Sequence, residues 1–232
     1  RPEDALELLS QAFSDESVRE YAVSRLHSAS PERLELFLPQ LVQALKYEPS
    51  HLAVQTDDVT MEMSDSADTE GMLEVTETKR QTSDLCSFIV DYATSYLGFA
   101  NALFWHLKVE EAATVGTEFN KMYASLRRRL IAALQASKVP EVTERGRSLL
   151  LQESFVEHLK KVTTAAKASA SARANKETAL KKALAADNLL QKLDGLPLPV
   201  DPTFRMQTVL ADYAAFFNSA MMPTKLTFSN KS

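Results

Sequence analysis

The stretch SDLCSFIVDYATSYLGFANALFWHLKVEE, Ser83 to Glu111, sets the fold class. In its first half Leu85, Phe88, Ile89, Tyr92 and Tyr96 recur at three- and four-residue steps, so they share one face of a helix. Gly98 stands where a helix C-terminal cap is expected. In the second half Leu103, Phe104, Trp105, Leu107 and Val109 are too dense for a single stripe. They predict a central helix buried nearly all round, Trp105 included.

The same period runs outward in both directions. RPEDALELLSQAF carries Leu6, Leu9 and Phe13 on one stripe, with Pro2, Glu3 and Asp4 suited to a helix start. SVREYAVSRL aligns Val18, Tyr21, Ala22 and Leu26. SPERLELFLPQLVQALKYE offers Ser30 as N-cap, Pro31 at the first helical position and a stripe of Leu34, Phe37, Leu38, Leu41 and Leu45. Pro39 falls inside that stripe and predicts a kink or a break. Downstream, Thr117 precedes a stripe of Phe119, Met122, Tyr123, Leu126, Leu130 and Leu134. Leu149, Leu150, Phe155, Val156 and Leu159 mark a further amphipathic segment.

Two stretches depart from this pattern. Residues 48–82 are acidic and rich in Ser and Thr, which predicts a flexible insertion. Residues 163–183 are rich in Ala and Lys with a thin apolar stripe, which predicts an exposed helix. After Gly195, Pro197, Pro199 and Pro202 exclude helix. In SAMMPTKLTF, Ser219 to Phe228, the period changes to two: Lys225 and Thr227 face one way, Leu226 and Phe228 the other. A strand needs a neighbour for its backbone groups, and none is evident upstream. The partners are therefore expected among strands beyond Ser232, with the tail lying against the helices, borrowing a second chain or poorly ordered.

The prediction is an all-α fold of about eight to ten helices. They form a right-handed α-solenoid of antiparallel pairs, ARM/HEAT-like, ending in a short extended or β tail. The domain division expected is a helical domain over 1–194 and a linker with the first strands of another domain over 195–232.

Composition narrows the function. The 232 residues are 45% hydrophobic and 25% charged, ordinary for a globular protein, and only five are Gly. A net charge of -5 argues against a nucleic-acid partner. One cysteine, Cys86, rules out an internal disulfide framework and fits a reducing cytoplasmic setting. No apolar run approaches the roughly 18 residues that span a bilayer. The start lacks both a signal-peptide layout and an initiator Met, and the end is abrupt, so a piece of a longer protein is expected.

Chemistry-bearing constellations are missing. His27, His51, His106 and His158 are far apart, without a second ligand at metal spacing. Cys86 reads as a buried inert thiol. Glu110 with Glu111, and Asp57 with Asp58, are adjacent pairs that do not face each other on a helix. Arg127 to Arg129 and the lysines from Lys160 to Lys182 read as solvated helix faces. No glycine-rich phosphate loop occurs. No catalytic, cofactor-binding or metal residue is therefore assigned. An independent helical-repeat adaptor, binding proteins through its concave face, is the alternative reading of these helices.

Several of these stretches resemble one family. RPEDALELLSQAF, VREYAVSRL and LVQALKYE resemble the opening helices of the accessory helical domain of phosphatidylinositol kinases, and LGFANALFWHLKVE resembles a later helix of it. LPLPVDPTFR and SAMMPTKLTF resemble the class III, vacuolar-sorting phosphatidylinositol 3-kinases at the entry to their kinase domain, where the class I branch differs. The resemblance covers nearly the whole chain apart from the acidic insertion and the Ala/Lys-rich stretch. It implies a helical scaffold between a β-sandwich and a two-lobed kinase, with 195–232 opening the kinase N-lobe. It implies a parent enzyme that uses ATP and Mg or Mn to phosphorylate the 3-hydroxyl of phosphatidylinositol, peripheral on endosomal membranes and active in trafficking and autophagy. A regulatory subunit resembling a protein kinase is implied as partner. The motifs carrying phosphoryl transfer would lie beyond Ser232. Lys225 would belong to an early strand and not bind ATP, and this chain alone would be inactive.

Overall fold

The computed structural model describes residues 2–48 and 84–230. Apart from Glu48, the expected acidic insertion over 48–82 lies outside the described residues. The chain divides into two compact units, Arg1–Ala133 and Leu134–Ser232.

The first unit is helical. It contains α1 (Pro2–Leu8), α2 (Glu16–Leu26), α3 (Pro31–Ala44), α4 (Leu85–Ser95), α5 (Leu97–Ala113) and most of α6 (Glu118–Gln135). A 3-10 turn, Leu45–Tyr47, extends α3. α1 packs on α2, α2 on α4, α3 on α5 and α4 on α5. Most positions of the stripes read from the sequence are buried, Leu34, Leu38, Leu41 and Leu45 at 1% exposure or below, but Tyr21 at 58% and Tyr96 at 42% stand outside the buried faces. Ser30 Oγ accepts from Arg33 N at 3.4 Å, and Pro31 opens the helix behind it. Ser30→Ala is expected to cost about 1 kcal/mol in a urea melt, and an unchanged midpoint would remove the cap from the account.

Three details differ from the sequence reading. α3 does not break at Pro39. The proline sits on the exposed side, while Leu38, Leu41 and Val42 around it are buried; their packing carries the helix past the one lost backbone bond. Gly98 caps nothing. α4 ends at Ser95 because Tyr96 takes extended backbone (φ -125, ψ 96), and Gly98 lies in the first turn of α5. Nor is α5 buried all round: Leu103, Phe104 and Leu107 are at 0% exposure, but Val109 is 61% exposed and Trp105 half-buried. Dense apolar lettering overstated the burial of its outer face.

The second unit mixes helix and strand. It contains α7 (Pro140–Ala168), α8 (Arg173–Ala186), the single turn α9 (Asn188–Gln191), and strands β1 (Leu196–Leu198), β2 (Asp201–Val209), β3 (Ala215–Phe216), β4 (Thr224–Lys225) and β5 (Phe228–Asn230). The Ala/Lys-rich 163–183 stretch is thus shared between α7 and α8 across a short break. α8 and α7 pack together, with Ala166, Leu180 and Leu184 buried.

Five short antiparallel strands follow the helices. β1, β2 and β5 form one sheet in that order, and β3 pairs with β4. Asp194 (φ 51) and Gly195 (φ 82) turn the chain into β1 in the left-handed region, where Gly is strain-free. Gly195 N donates to Met206 O at 3.0 Å. The prolines fit the sheet because β1 is an edge and Pro202 stands at the start of β2. Here the expected tail strand is corrected. It is two strands, and they pair within the chain: Phe228 opposes Val209, and Thr224 opposes Phe216. A stretch excluded from helix by its prolines supplies the partner that seemed absent. The alternation itself holds, since Leu226 and Phe228 both pack on one apolar cluster with Phe155, Leu184, Leu190, Met206 and Phe216. That cluster spans residues on both sides of 194 and 195, so α7, α8, α9 and the strands share a core.

Candidate functional site

The polar side chains singled out in the sequence turn out to join helices. His27 stands edge-on to Phe88 with ring centroids 4.7 Å apart. His158 Nε2 lies 2.5 Å from Asp187 Oδ2, whose other oxygen accepts from Leu189 N and Leu190 N and so caps α9. Burial works against the Asp187 charge, but His158 and these backbone donors still hold its carboxyl below the ordinary range. His106 is half-buried in α5, and His51, Asp57 and Asp58 lie outside the described residues. Burial pushes the Cys86 thiol up to about 12, with Glu48 and Asp84 adding to it. At that value the thiolate is not formed near neutral pH.

The adjacent carboxylates Glu110 and Glu111 part company. Glu110 accepts from Gln43 at 2.6 Å and pairs with Lys46 at 3.5 Å, whereas Glu111 pairs with Arg127 at 2.8 Å. Arg127 also lies over the Phe104 ring at 5.6 Å, and Arg129 donates to Ser87 Oγ at 2.8 Å. The triple arginine is therefore partly built into the packing of α4, α5 and α6. Among the described residues no three His, Cys, Asp or Glu side chains gather as a metal site would require. No described helix is long and apolar enough to cross a membrane. A shallow cleft of about 380 Å³ between α1 and α3 is lined by Leu6, Leu9, Pro39 and Tyr47, among others, with no Asp, Glu, His, Lys or Arg among the described lining residues.

The arrangement with most structural consequence is the seat of the C-terminal strands. From α7, Gln152, itself at 0% exposure, donates to Pro197 O of β1 at 2.9 Å. One turn on, Phe155 meets the Phe228 ring of β5 at a 6.0 Å centroid distance and 63°. From α9, Gln191 donates to Val209 O at 3.0 Å and accepts from Thr208 Oγ1 at 3.1 Å. From α8, Glu177 accepts from Phe216 N at 3.2 Å while Arg173 donates to Phe216 O. Arg173, together with the Phe216 N–H, holds the Glu177 carboxyl below its ordinary range. Lys167 completes the set by donating to Met221 O at 3.3 Å.

This seat does not show in the sequence, where the lysine-rich stretch reads as a solvated face, yet Lys167 and, from α8, Arg173 and Glu177 fix the backbone of the strands. The one signal available was the Arg173–Glu177 spacing of four, which places the pair on one helix side. Its target, a main-chain peptide more than 38 residues away, left no trace in the sequence. Lys225 lies in β4 opposite Ala215 and is exposed.

Residues 1–141 match the accessory domain (PIK domain) of the phosphoinositide 3-kinase family. With the helices of the first unit inside that match, the chain belongs to this family as a carrier of its accessory domain. Among named relatives, the phosphatidylinositol 3-kinase catalytic subunit type 3 of Caenorhabditis elegans is 38% identical over 97% of this chain and 27% of that protein. The phosphatidylinositol 3-kinase pik3 of Schizosaccharomyces pombe is 33% identical over 97% of this chain and 25% of its own length. The phosphatidylinositol 3-kinase VPS34 of Arabidopsis thaliana is 28% identical over 97% and 24%. The chain thus spans about a quarter of the length of these relatives.

Proposed function

We propose that this chain is the non-catalytic helical scaffold of a class III phosphatidylinositol 3-kinase, joined to the opening strands of the kinase N-lobe at 195–232. The observation that carries this reading is the alignment of 97% of the chain with 27% of a catalytic subunit type 3, a continuous piece of a much longer kinase. The parent transfers the γ-phosphate of ATP to the 3-hydroxyl of phosphatidylinositol with Mg or Mn, on endosomal membranes, in trafficking and autophagy. Its β-sandwich and kinase domains lie in cis, and a regulatory subunit resembling a protein kinase binds it in trans. The helices form an ARM/HEAT-like right-handed solenoid of antiparallel pairs.

The scaffold acts by position. Gln152, Phe155, Glu177 and Gln191 stand on α7, α8 and α9 and hold the strands through backbone bonds and a shared apolar cluster. A kinase lobe begun on strands held this way has its first sheet placed before any substrate arrives. The test is a lipid-kinase assay on phosphatidylinositol vesicles with ATP and Mg or Mn. The 1–232 chain is expected to give no phosphorylated lipid and the parent-length protein to give it. Product from the short chain, or none from the long one, overturns the assignment.

A further inference from the structure

α9 is a single turn, Asn188–Gln191, too short to stand as a helix on its own. Contacts at its two ends hold it. At its start Asp187 Oδ1 accepts from Leu189 N at 3.0 Å and from Leu190 N at 3.1 Å, while Asp187 Oδ2 lies 2.5 Å from His158 Nε2 on α7. At its end Gln191 Nε2 donates at 3.0 Å to Leu184 O of α8 and to Val209 O of β2. Gln191 Oε1 accepts from Thr208 Oγ1 at 3.1 Å, and just beyond it Leu193 N donates to Gln207 O of β2 at 3.0 Å. Leu190, between the two ends, is fully buried. One line of contacts thus runs from an imidazole on α7, through the cap of α9, to the main chain of β2.

Imidazole is the side chain whose charge changes in the near-neutral range. Its partner does not change there: burial opposes the Asp187 charge, yet His158 and the α9 amides keep that carboxyl below its ordinary range. An ionised carboxylate only accepts, so Nε2 carries the proton between the two groups. A second proton on Nδ1 adds the attraction of opposite charges to a bond already in place. The neighbouring charges leave this pair to itself. α7 packs on α8, α9 and β1, and β1 holds no titratable side chain. On α7 Lys160 pairs with Glu157 at 3.5 Å, and on α8 Lys181 acts on Glu177. Among the described residues none of Lys161, Lys181, Lys182 and Lys192 pairs with Asp187.

We propose that His158 is a proton-sensitive latch, whose second proton tightens Asp187 on α7 and, through α9 and Gln191, firms the seat of β2. The charged pair exists only in the folded chain, so the folded chain takes up that proton more readily. The added hold is full where the ring is a cation and is lost as pH rises and the ring becomes neutral. On the acid side it is lost as pH falls through the lowered Asp187 value, so the seat is firmest in mildly acid solution. Amide exchange of the 15N-labelled 1–232 chain tests this, with each rate divided by the unfolded-chain rate at the same pH. Leu190 N–H reports the cap, and Leu193 N–H reports the junction with β2. From about pH 8 to about pH 5.5 the protection of both is expected to rise about threefold or more. His158→Gln keeps a neutral donor and Asp187→Asn keeps a capping oxygen, and in each the rise is expected to vanish. If one variant does not fold, the other is read by the same criterion. No rise in the wild type, a rise confined to Leu190, or a rise that persists in a folded variant overturns the latch.

Discussion

Arg19→Ala is expected to lower stability by about 3–5 kcal/mol, the cost of leaving a buried charge without its partner. Arg19 is 3% exposed. Its Nη1 donates to Leu9 O at 3.0 Å, its Nη2 to Ala44 O at 3.3 Å and its Nε to Glu48 Oε1 at 2.9 Å. One side chain on α2 thus ties together the chain after α1, the end of α3 and the residue that follows the 3-10 turn. Alanine would orphan two buried carbonyls and a carboxylate. Glu48→Gln should be milder, because the amide oxygen can still accept from Arg19 although the guanidinium loses its counter-charge. Burial raises the Glu48 carboxyl above its ordinary range even against the attraction of Arg19, so a neutral side chain relieves part of that cost. The sign follows: the folded protein binds this proton more readily than the unfolded chain. The stability tied to Glu48 is full below the ordinary carboxylate range and is lost as pH rises through the raised value. Urea melts of the wild type and of Glu48→Gln across that range should converge as the pH falls. A midpoint in Arg19→Ala equal to wild type would show that the pin does not bear on stability.

Phe104→Ala should cost a similar amount, about 3–5 kcal/mol, by removing a fully buried ring and leaving a cavity. Its neighbour Trp105 is half-buried, so Trp105→Ala should cost clearly less although the side chain is larger. Phe104 also carries Arg127 over its face at 5.6 Å and meets Trp105 edge-on at 5.4 Å. In a chain of this size each kcal/mol moves the melting temperature by about 2–4 °C, so the two variants separate readily in a thermal melt. Trp105→Ala melting below Phe104→Ala would place the burial of α5 on the wrong face.

The helices were legible because their signal is periodic and local. Leu85, Phe88 and Ile89 declare a buried face whatever they pack on, and the Ser30–Pro31 pair declares a helix start from two adjacent residues. The helix at Pro39 and the end at Tyr96 were not legible in the same way. In the first, buried neighbours outweigh a local propensity; in the second, an ordinary residue takes extended backbone with no breaker to announce it. The strand seat was legible only in half. The two-residue period of Leu226 and Phe228 showed a strand, but its partner, Asp201–Val209, was marked by prolines and read as exclusion from helix alone.

What the sequence by itself determined is the helical class, the positions of most buried stripes, the alternation of the tail and the family resemblance of motifs such as LGFANALFWHLKVE. All of these are carried by residues within a few turns of one another. Only the tertiary structure decided that the tail pairs with its own chain, that Lys167, Arg173 and Glu177 hold main-chain groups, and that Arg19 is buried on Glu48. The strand pairs join residues 8 to 24 positions apart, and the side-chain contacts join residues 29 to 54 positions apart. A hydrogen bond to a backbone carbonyl or amide constrains the residue that reaches it and leaves the identity of its partner free, so the sequence holds at most one side of the contact.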